Sequence, residues 1–251
     1  MRSVVRTSDL RAAHAVRLTR GALIALLALT ALALSACQMA EQSVNVNQSR
    51  IWTGYELHYD ANTDLTTAKA TFRFGNSLGT PLDLTSPSEV RFNGEMLSRT
   101  VQQGTGFVSY ERTFAGEVTT GTFRFTDVEG EAYSNTVTLR DVDFPAGIGP
   151  IDNDAAYSFE WVGSSLAASE EVSVTLFRLA PGTASLGVFR QTQDGTRHVV
   201  MDALQLRNVA PGDVTLRMTR EWSGSPGRAP DAGGKVTLKW SAQDAVATIV
   251  D

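Results

Sequence analysis

Ala68-Lys69-Ala70-Thr71-Phe72-Arg73-Phe74 decides the fold class. Ala68, Ala70, Phe72 and Phe74 fall on one face of an extended chain, and Lys69, Thr71 and Arg73 on the other. A period of two with one dry and one wet face is the mark of a half-buried strand. Thr122-Phe123-Arg124-Phe125 repeats the pattern, as does Thr136-Val137-Thr138-Leu139-Arg140. Further on, the apolar rows Val172, Val174, Leu176; Val214, Leu216, Met218; and Val236, Leu238, Trp240 alternate with polar residues. Gly75-Asn76-Ser77, Asn93-Gly94, Asp127 to Gly130, Asp194-Gly195 and Pro211-Gly212-Asp213 separate these runs. Asn-Gly and Asp-Gly reach positive φ at low cost, as tight hairpins require. After Cys37 no stretch carries a helical stripe of ten or more residues. Many short strands with antiparallel connections predict an all-β sandwich architecture.

Phe144-Pro-Ala-Gly-Ile-Gly-Pro150 cannot continue a strand and reads as a linker. The flanking pieces are each about 95–100 residues, the size of one immunoglobulin-like sandwich. Both end alike: Gly121 to Phe125 then Tyr133 to Leu139 in the first, and Gly234 to Ser241 then Ala245 to Val250 in the second, each read as a closing hairpin. The chain is therefore expected to form two tandem immunoglobulin-like antiparallel β-sandwiches, at 50–144 and 151–251, joined by 145–150. With no Cys…Trp…Cys core, the likeness is to the architecture and not to antibody domains. The alternative is one larger β-sandwich spanning both halves.

The N-terminus carries a different signal. Met1 to Arg20 holds five arginines against Asp9, an apolar run covers 21–34, and Ser35-Ala36-Cys37 follows. Basic, apolar and small-residue regions in that order form an export signal. The run is too short for a transmembrane span, which needs about 20 apolar residues. Leu34-Ser35-Ala36-Cys37 resembles the lipobox of bacterial lipoproteins. The resemblance implies removal of residues 1–36, lipidation of Cys37 and, in the mature form, three acyl chains, which hold a membrane far more firmly than one. Gln38 in place of Asp after the cysteine implies the outer membrane of the cell envelope. Cys37 with the polar stretch Gln38 to Ser49, at 37–49, is expected to be a lipidated flexible tether. Its twelve spacer residues could hold the fold up to ~40 Å from the bilayer.

Charge and composition narrow the partners. The 251-residue chain is −5 overall; losing residues 1–36 leaves 17 basic against 26 acidic side chains, near −9. Nucleic acid and anionic lipid, which both need a basic face, are unfavourable partners for such a surface. Cys37 is the sole cysteine, so once it is acylated no disulfide, redox pair or thiolate metal site remains. After the signal only His58 and His198 are left, in different halves and without a Gly-x-Ser-x-Gly nucleophile. Gly233-Gly234-Lys235 lacks the earlier glycine, the following Ser or Thr, and the helix of a phosphate loop. No cofactor is expected.

Carboxylates and aromatics supply the remaining candidates. Asp60-Ala-Asn62-Thr-Asp64 resembles the opening of a calcium loop, but Leu65 and Thr71 stand where Gly and Glu belong. Its ordinary reading is a turn with Asx caps. Asp152-Asn153-Asp154 resembles the interdomain calcium linker of cadherins without its final Asn and Pro. Trp240 and Trp161 share parity with apolar neighbours and are expected in the core. Trp222 lies in Arg220 to Gly234, a stretch rich in Gly and Pro read as a long loop, which makes it the candidate ligand-binding residue. Function is therefore expected to be non-enzymatic: an anchored envelope protein presenting its modules to a protein or glycan partner. A carbohydrate- or calcium-binding accessory role in adhesion or glycan capture is the alternative, and a carboxylate-dependent hydrolase ranks last.

Overall fold

Burial follows the sequence alternation strand by strand. The computed structural model describes residues 40–102, 106–178 and 185–251; the expected export signal and Cys37 lie outside them. β1 (Glu41–Gln42) and two 3-10 turns lead into β2 (Ile51–Asp60) and β3 (Leu65–Phe74). In β2, Ile51, Thr53, Tyr55, Leu57 and Tyr59 are buried and the intervening residues are not. Ala68, Ala70 and Phe72 are fully buried, as their alternation requires. β4 (Thr80–Asp83), β5 (Glu89–Phe92), β6 (Glu95–Met96), β7 (Ser98–Val101), β8 (Val108–Ala115), β9 (Thr120–Thr126) and β10 (Ala132–Thr138) complete the first half. β11 (Ile151–Asp152), β12 (Tyr157–Glu160), β13 (Glu170–Phe177), β14 (Ser185–Gln191), β15 (His198–Met201), the single turn α1 (Ala203–Leu206), β16 (Gly212–Gly224), β17 (Gly234–Ser241) and β18 (Ala245–Val250) follow. The chain is an all-β sandwich.

One sheet runs through both halves, in the order β1-β4-β3-β2-β17-β16-β13-β14, with β7, β8, β11 and β18 attached beside this path. β17 pairs in parallel with β2 from Gly234↔Thr53 to Ser241↔Asp60. The expected pair of separate sandwiches is thus corrected to one large sheet that the two halves share. A four-stranded sheet, β10-β9-β5-β6, covers the β2–β3 end. Its aromatics interleave with those below: Tyr55 stacks on Phe123 at 5.0 Å and Phe72 packs on Phe125 at 4.6 Å. The ribbon β12-β15 packs over the β13–β14 end.

Two further expectations are corrected. β17 and β18 form no hairpin; both pair with β16, one after the other along the same edge. The register changes by one residue between Ser241 and Ala245, so Ala242 to Asp244 is a β-bulge in one long strand, not a turn. The tether is also shorter than expected. β1 pairs in parallel with β4, and Ser43 and Gln48 are buried. The Ser43 hydroxyl accepts from the Thr85 N–H at 2.8 Å, and the Gln48 amide donates to the Ser43 and Val46 carbonyls at 2.8 and 2.7 Å. Residues 41–50 are therefore part of the fold.

Candidate functional site

Between the two covering layers, part of the large sheet's inner face is left open. There Trp222 pairs with Leu238 and Arg220 with Trp240 across β16 and β17, and Glu170 pairs with Trp222 from β13. These residues floor a cleft of about 570 Å³, within the usual range of ligand pockets, about 300–1,000 Å³. The loop Ser225–Arg228 closes one end, and Ala167 and Arg140 stand near the other.

β10 forms the long wall, and it presents itself edge-on. Every residue from Ser134 to Arg140 lines the cleft, although alternate side chains of a strand point to opposite faces. Only a strand whose main chain borders the space can do this. β10 pairs with β9 and with no other strand among the described residues. The Leu139 N–H donates to the Thr119 carbonyl at 2.7 Å, continuing the β9 ladder. Hydrogen-bonded pairs alternate along an antiparallel ladder, so the N–H and C=O of Thr136 and Thr138 turn away from β9, toward the cleft. The Asn135 side chain ties down the end loop: its amide donates to the Arg228 carbonyl at 2.8 Å and its oxygen accepts from the Arg228 N–H at 2.9 Å.

An ion pair is sunk beneath the floor. Arg220 is 2% exposed and Glu170 5%. Arg220 donates to the carbonyls of Asp141, Ser164 and Ser165 at 3.0, 2.9 and 3.0 Å, and to Glu170 Oε2. Among the described residues its Nε has no partner. Glu170 Oε2 also accepts from Arg140 at 3.1 Å and from the Ala167 N–H at 2.7 Å. Three arginines and one glutamate line the cleft, and Arg228 also pairs with Glu131 at 3.4 Å, which leaves a small positive excess on an acidic chain. This network is absent from the sequence reading, yet its signal was there. Arg220 continues the dry row Val214, Leu216, Met218, and Glu170 opens the row Val172, Val174, Leu176. Opposite charges at core positions of two strands mark a buried pair.

Trp222 does line the cleft, but on β16 and not in a loop, a correction to its expected setting. Its indole lies over Gly224, where an added Cβ would sit 2.4 Å from the ring. Trp240 and Trp161 are buried, at 8% and 1%. The calcium candidates are not brought together. Asp60 Oδ1 accepts from the Asn62 N–H at 3.0 Å, an Asx turn, and Asn62 is tied to Asp244. Asp64 accepts from the Tyr59 hydroxyl at 3.0 Å. Asp152 accepts from the Asp154 N–H, and Asp154 pairs with Arg207 at 3.1 Å. Among the described residues, no three His, Cys, Asp or Glu side chains gather as a metal site. His58 bonds the Ser241 hydroxyl at 3.0 Å, and burial pushes its imidazole below its ordinary pKa. His198 bonds Thr196 at 3.1 Å.

No family model matches the chain, and no curated protein matches it. Among solved structures it is similar to SGBP-B of the Bacteroides ovatus mixed-linkage glucan utilization locus, in complex with a mixed-linkage heptasaccharide. Identity is 10%, 75% of this chain and 53% of that one are covered, and the TM-score is 0.21. It is likewise similar to the Yersinia pseudotuberculosis adhesin InvE, at 12% identity over 82% of this chain and 60% of that one, with a TM-score of 0.20. This chain spans just over half the length of the first and three fifths of the second. Scores this low support no shared function. No helix among the described residues is long and apolar enough to cross a membrane.

Proposed function

We propose that this is a non-enzymatic lipoprotein of the bacterial envelope, anchored through Cys37, that captures an extended polypeptide in the junction cleft. The observation that carries the reading is the open edge of β10. Edge strands are ordinarily guarded by charge, proline, a bulge or shortness. Ala132-Tyr-Ser-Asn-Thr-Val-Thr138 has no charge and no proline, and it borders a concave space whose floor carries Trp222, Leu238 and Trp240 around a buried ion pair. A strand laid beside it gains main-chain hydrogen bonds from Thr136 and Thr138 and sets alternate side chains on Trp222, Leu238 and Trp240. The net positive lining favours a peptide with acidic residues. Lipidation at Cys37 is supported by the order of basic run, apolar run and lipobox.

Thr136→Pro removes the edge N–H that faces the cleft and leaves the β9 ladder in place, since proline is tolerated on a free edge. Panning a phage-displayed library of random twelve-residue peptides on the wild type should enrich acidic sequences with alternating apolar residues. Those peptides should bind Thr136→Pro at least tenfold more weakly at unchanged melting temperature. Equal binding to both proteins refutes main-chain pairing. Metabolic palmitate labelling should mark the wild type and spare Cys37→Ser.

Trp222 favours a second reading, an oligosaccharide stacked on its indole. Retardation of the protein in gels containing a soluble β-glucan, lost in Trp222→Ala and kept in Thr136→Pro, would replace the first reading with this one.

A further inference from the structure

The described fold reaches closer to Cys37 in sequence than a twelve-residue tether implies. Only Gln38 and Met39 separate Cys37 from Ala40, and three Cα–Cα steps of 3.8 Å reach about 11 Å. The parallel register of β1 with β4 sets Glu41 beside Leu82 and Gln42 beside Asp83, so Ala40 stands level with Pro81. Three residues before Pro81 is Leu78, in the β3–β4 loop, 91% exposed. The anchor and this apolar tip share one end of the sheet.

Two arginines back the loop. The Arg50 carbonyl accepts from the Gly75 N–H at 2.8 Å, and its guanidinium lies 5.3 Å over the Phe74 ring. Arg73 Nη1 donates to the Gly79 carbonyl at 3.0 Å, and its guanidinium lies 4.9 Å over Phe107. Among the described residues neither is held by a carboxylate. Glu41, on the entering strand, is turned to the Asn45 amide at 2.7 Å.

We propose that the loop 75–79, with Leu78 at its tip and Arg50 and Arg73 behind it, is the face on which the anchored protein rests on the bilayer. Leu78 enters the boundary between headgroups and acyl chains, and the guanidinium groups meet lipid phosphates. The proposal rests on acylation of Cys37. An acyl anchor combined with a basic, apolar-tipped surface is the two-signal arrangement that fixes a peripheral protein and its orientation. An isolated exposed leucine is ordinary on a protein surface; its place at the anchored end, in front of two arginines without a carboxylate partner among the described residues, is not. Leu204 supplies the contrast. It is 74% exposed on α1, just before the start of β16, whose thirteen residues run toward the anchored end and span roughly 43 Å.

The test uses the full lipidated protein in vesicles of phosphatidylethanolamine and phosphatidylglycerol. Leu78→Cys and Leu204→Cys each provide one free thiol, because Cys37 is acylated, and each is labelled with the same environment-sensitive fluorophore. The expected result is a blue-shifted emission at 78, quenched by brominated lipids, with the signal at 204 unchanged. Equal, water-like emission at both sites in protein that carries palmitate overturns the proposal and leaves the anchor intact. Absence of palmitate fails the anchor itself. A shift at both sites shows the dye inserting on its own and also counts against the face.

Discussion

Glu170→Ala removes the one carboxylate that faces a nearly inaccessible guanidinium. Glu170 Oε2 accepts from Arg220, Arg140 and the Ala167 N–H. Breaking a buried ion pair by deleting one partner costs about 3–5 kcal/mol, because the other charge stays buried and uncompensated. Arg220 keeps three carbonyl partners, which points to the lower half of that range. The Ala167 N–H loses its acceptor, adding about 1 kcal/mol. Arg140, 37% exposed, returns to water and adds little. For a chain of this size about 1 kcal/mol moves the midpoint by ~2–4 °C, so a total of about 4–5 kcal/mol predicts a loss of roughly 8–20 °C. The assay is thermal and urea unfolding of the Cys37→Ser form, followed by tryptophan fluorescence. A second variant, Glu170→Leu with Arg220→Met, removes both charges and should be more stable than Glu170→Ala alone. If the single variant loses less than about 1 kcal/mol, or the double variant is the weaker of the two, the pair is not holding the junction as argued.

The shared sheet makes its own prediction. A Cβ on Gly234 would lie 2.3 Å from the Thr53 carbonyl oxygen, so Gly234→Ala must push β17 off β2; a loss of about 1–3 kcal/mol is expected by urea unfolding, whereas Gly149→Ala, with open space around it, should cost nothing comparable. The folded His58 has a lowered pKa, chiefly from burial and then from Lys239. Its contribution is complete above the unfolded value of about 6.5 and declines as pH falls through the folded value, since the unfolded chain takes the proton first. His58→Gln should flatten that decline in urea midpoints between pH 7 and 5.

Which residues lie on dry faces was legible; which strands lie beside one another was not. Alternation at Ala68 to Phe74 and Thr136 to Leu139 names the buried side of each strand, because each side chain's exposure depends on its own parity. The Asp127 to Gly130 turn gave the β9–β10 hairpin, with Gly130 at φ +87°. Parallel pairing of β17 with β2 joins residues about 180 positions apart, and no local pattern encodes it. The bulge at Ala242 to Asp244 imitated a turn, since Asp244 is a turn former and the pairing partner lies far away in sequence. Ser-Gly-Ser-Pro after Trp222 imitated a loop, although Trp222 and Gly224 are held by Leu238 and Val236. Residues 41–49 read as tether because Ser43 and Gln48 are buried through hydrogen bonds that composition does not show. Arg220 and Glu170 were the missed opportunity: parity placed both in the core.

The cleft follows from a mismatch in sheet widths. The large sheet is eight strands across along its main path, and the layers above it contribute four and two. Two strand widths, roughly 10 Å at 4.7–4.9 Å each, are left without cover, and they fall over β16 and β17. An exposed aliphatic stripe there would invite aggregation. The chain places instead a sunken ion pair, two tryptophans and a loop clamped by Asn135. One strand added beside β10 occupies about half of the gap and leaves the rest for its side chains. The same geometry explains why β10 lacks the charges that guard other edges: Arg99, on the edge strand β7, lies where the large sheet meets solvent, whereas β10 is recessed in a cleft too narrow for a second folded sheet. Width alone therefore admits a single extended chain, and Thr136→Pro asks whether that chain is held by its backbone.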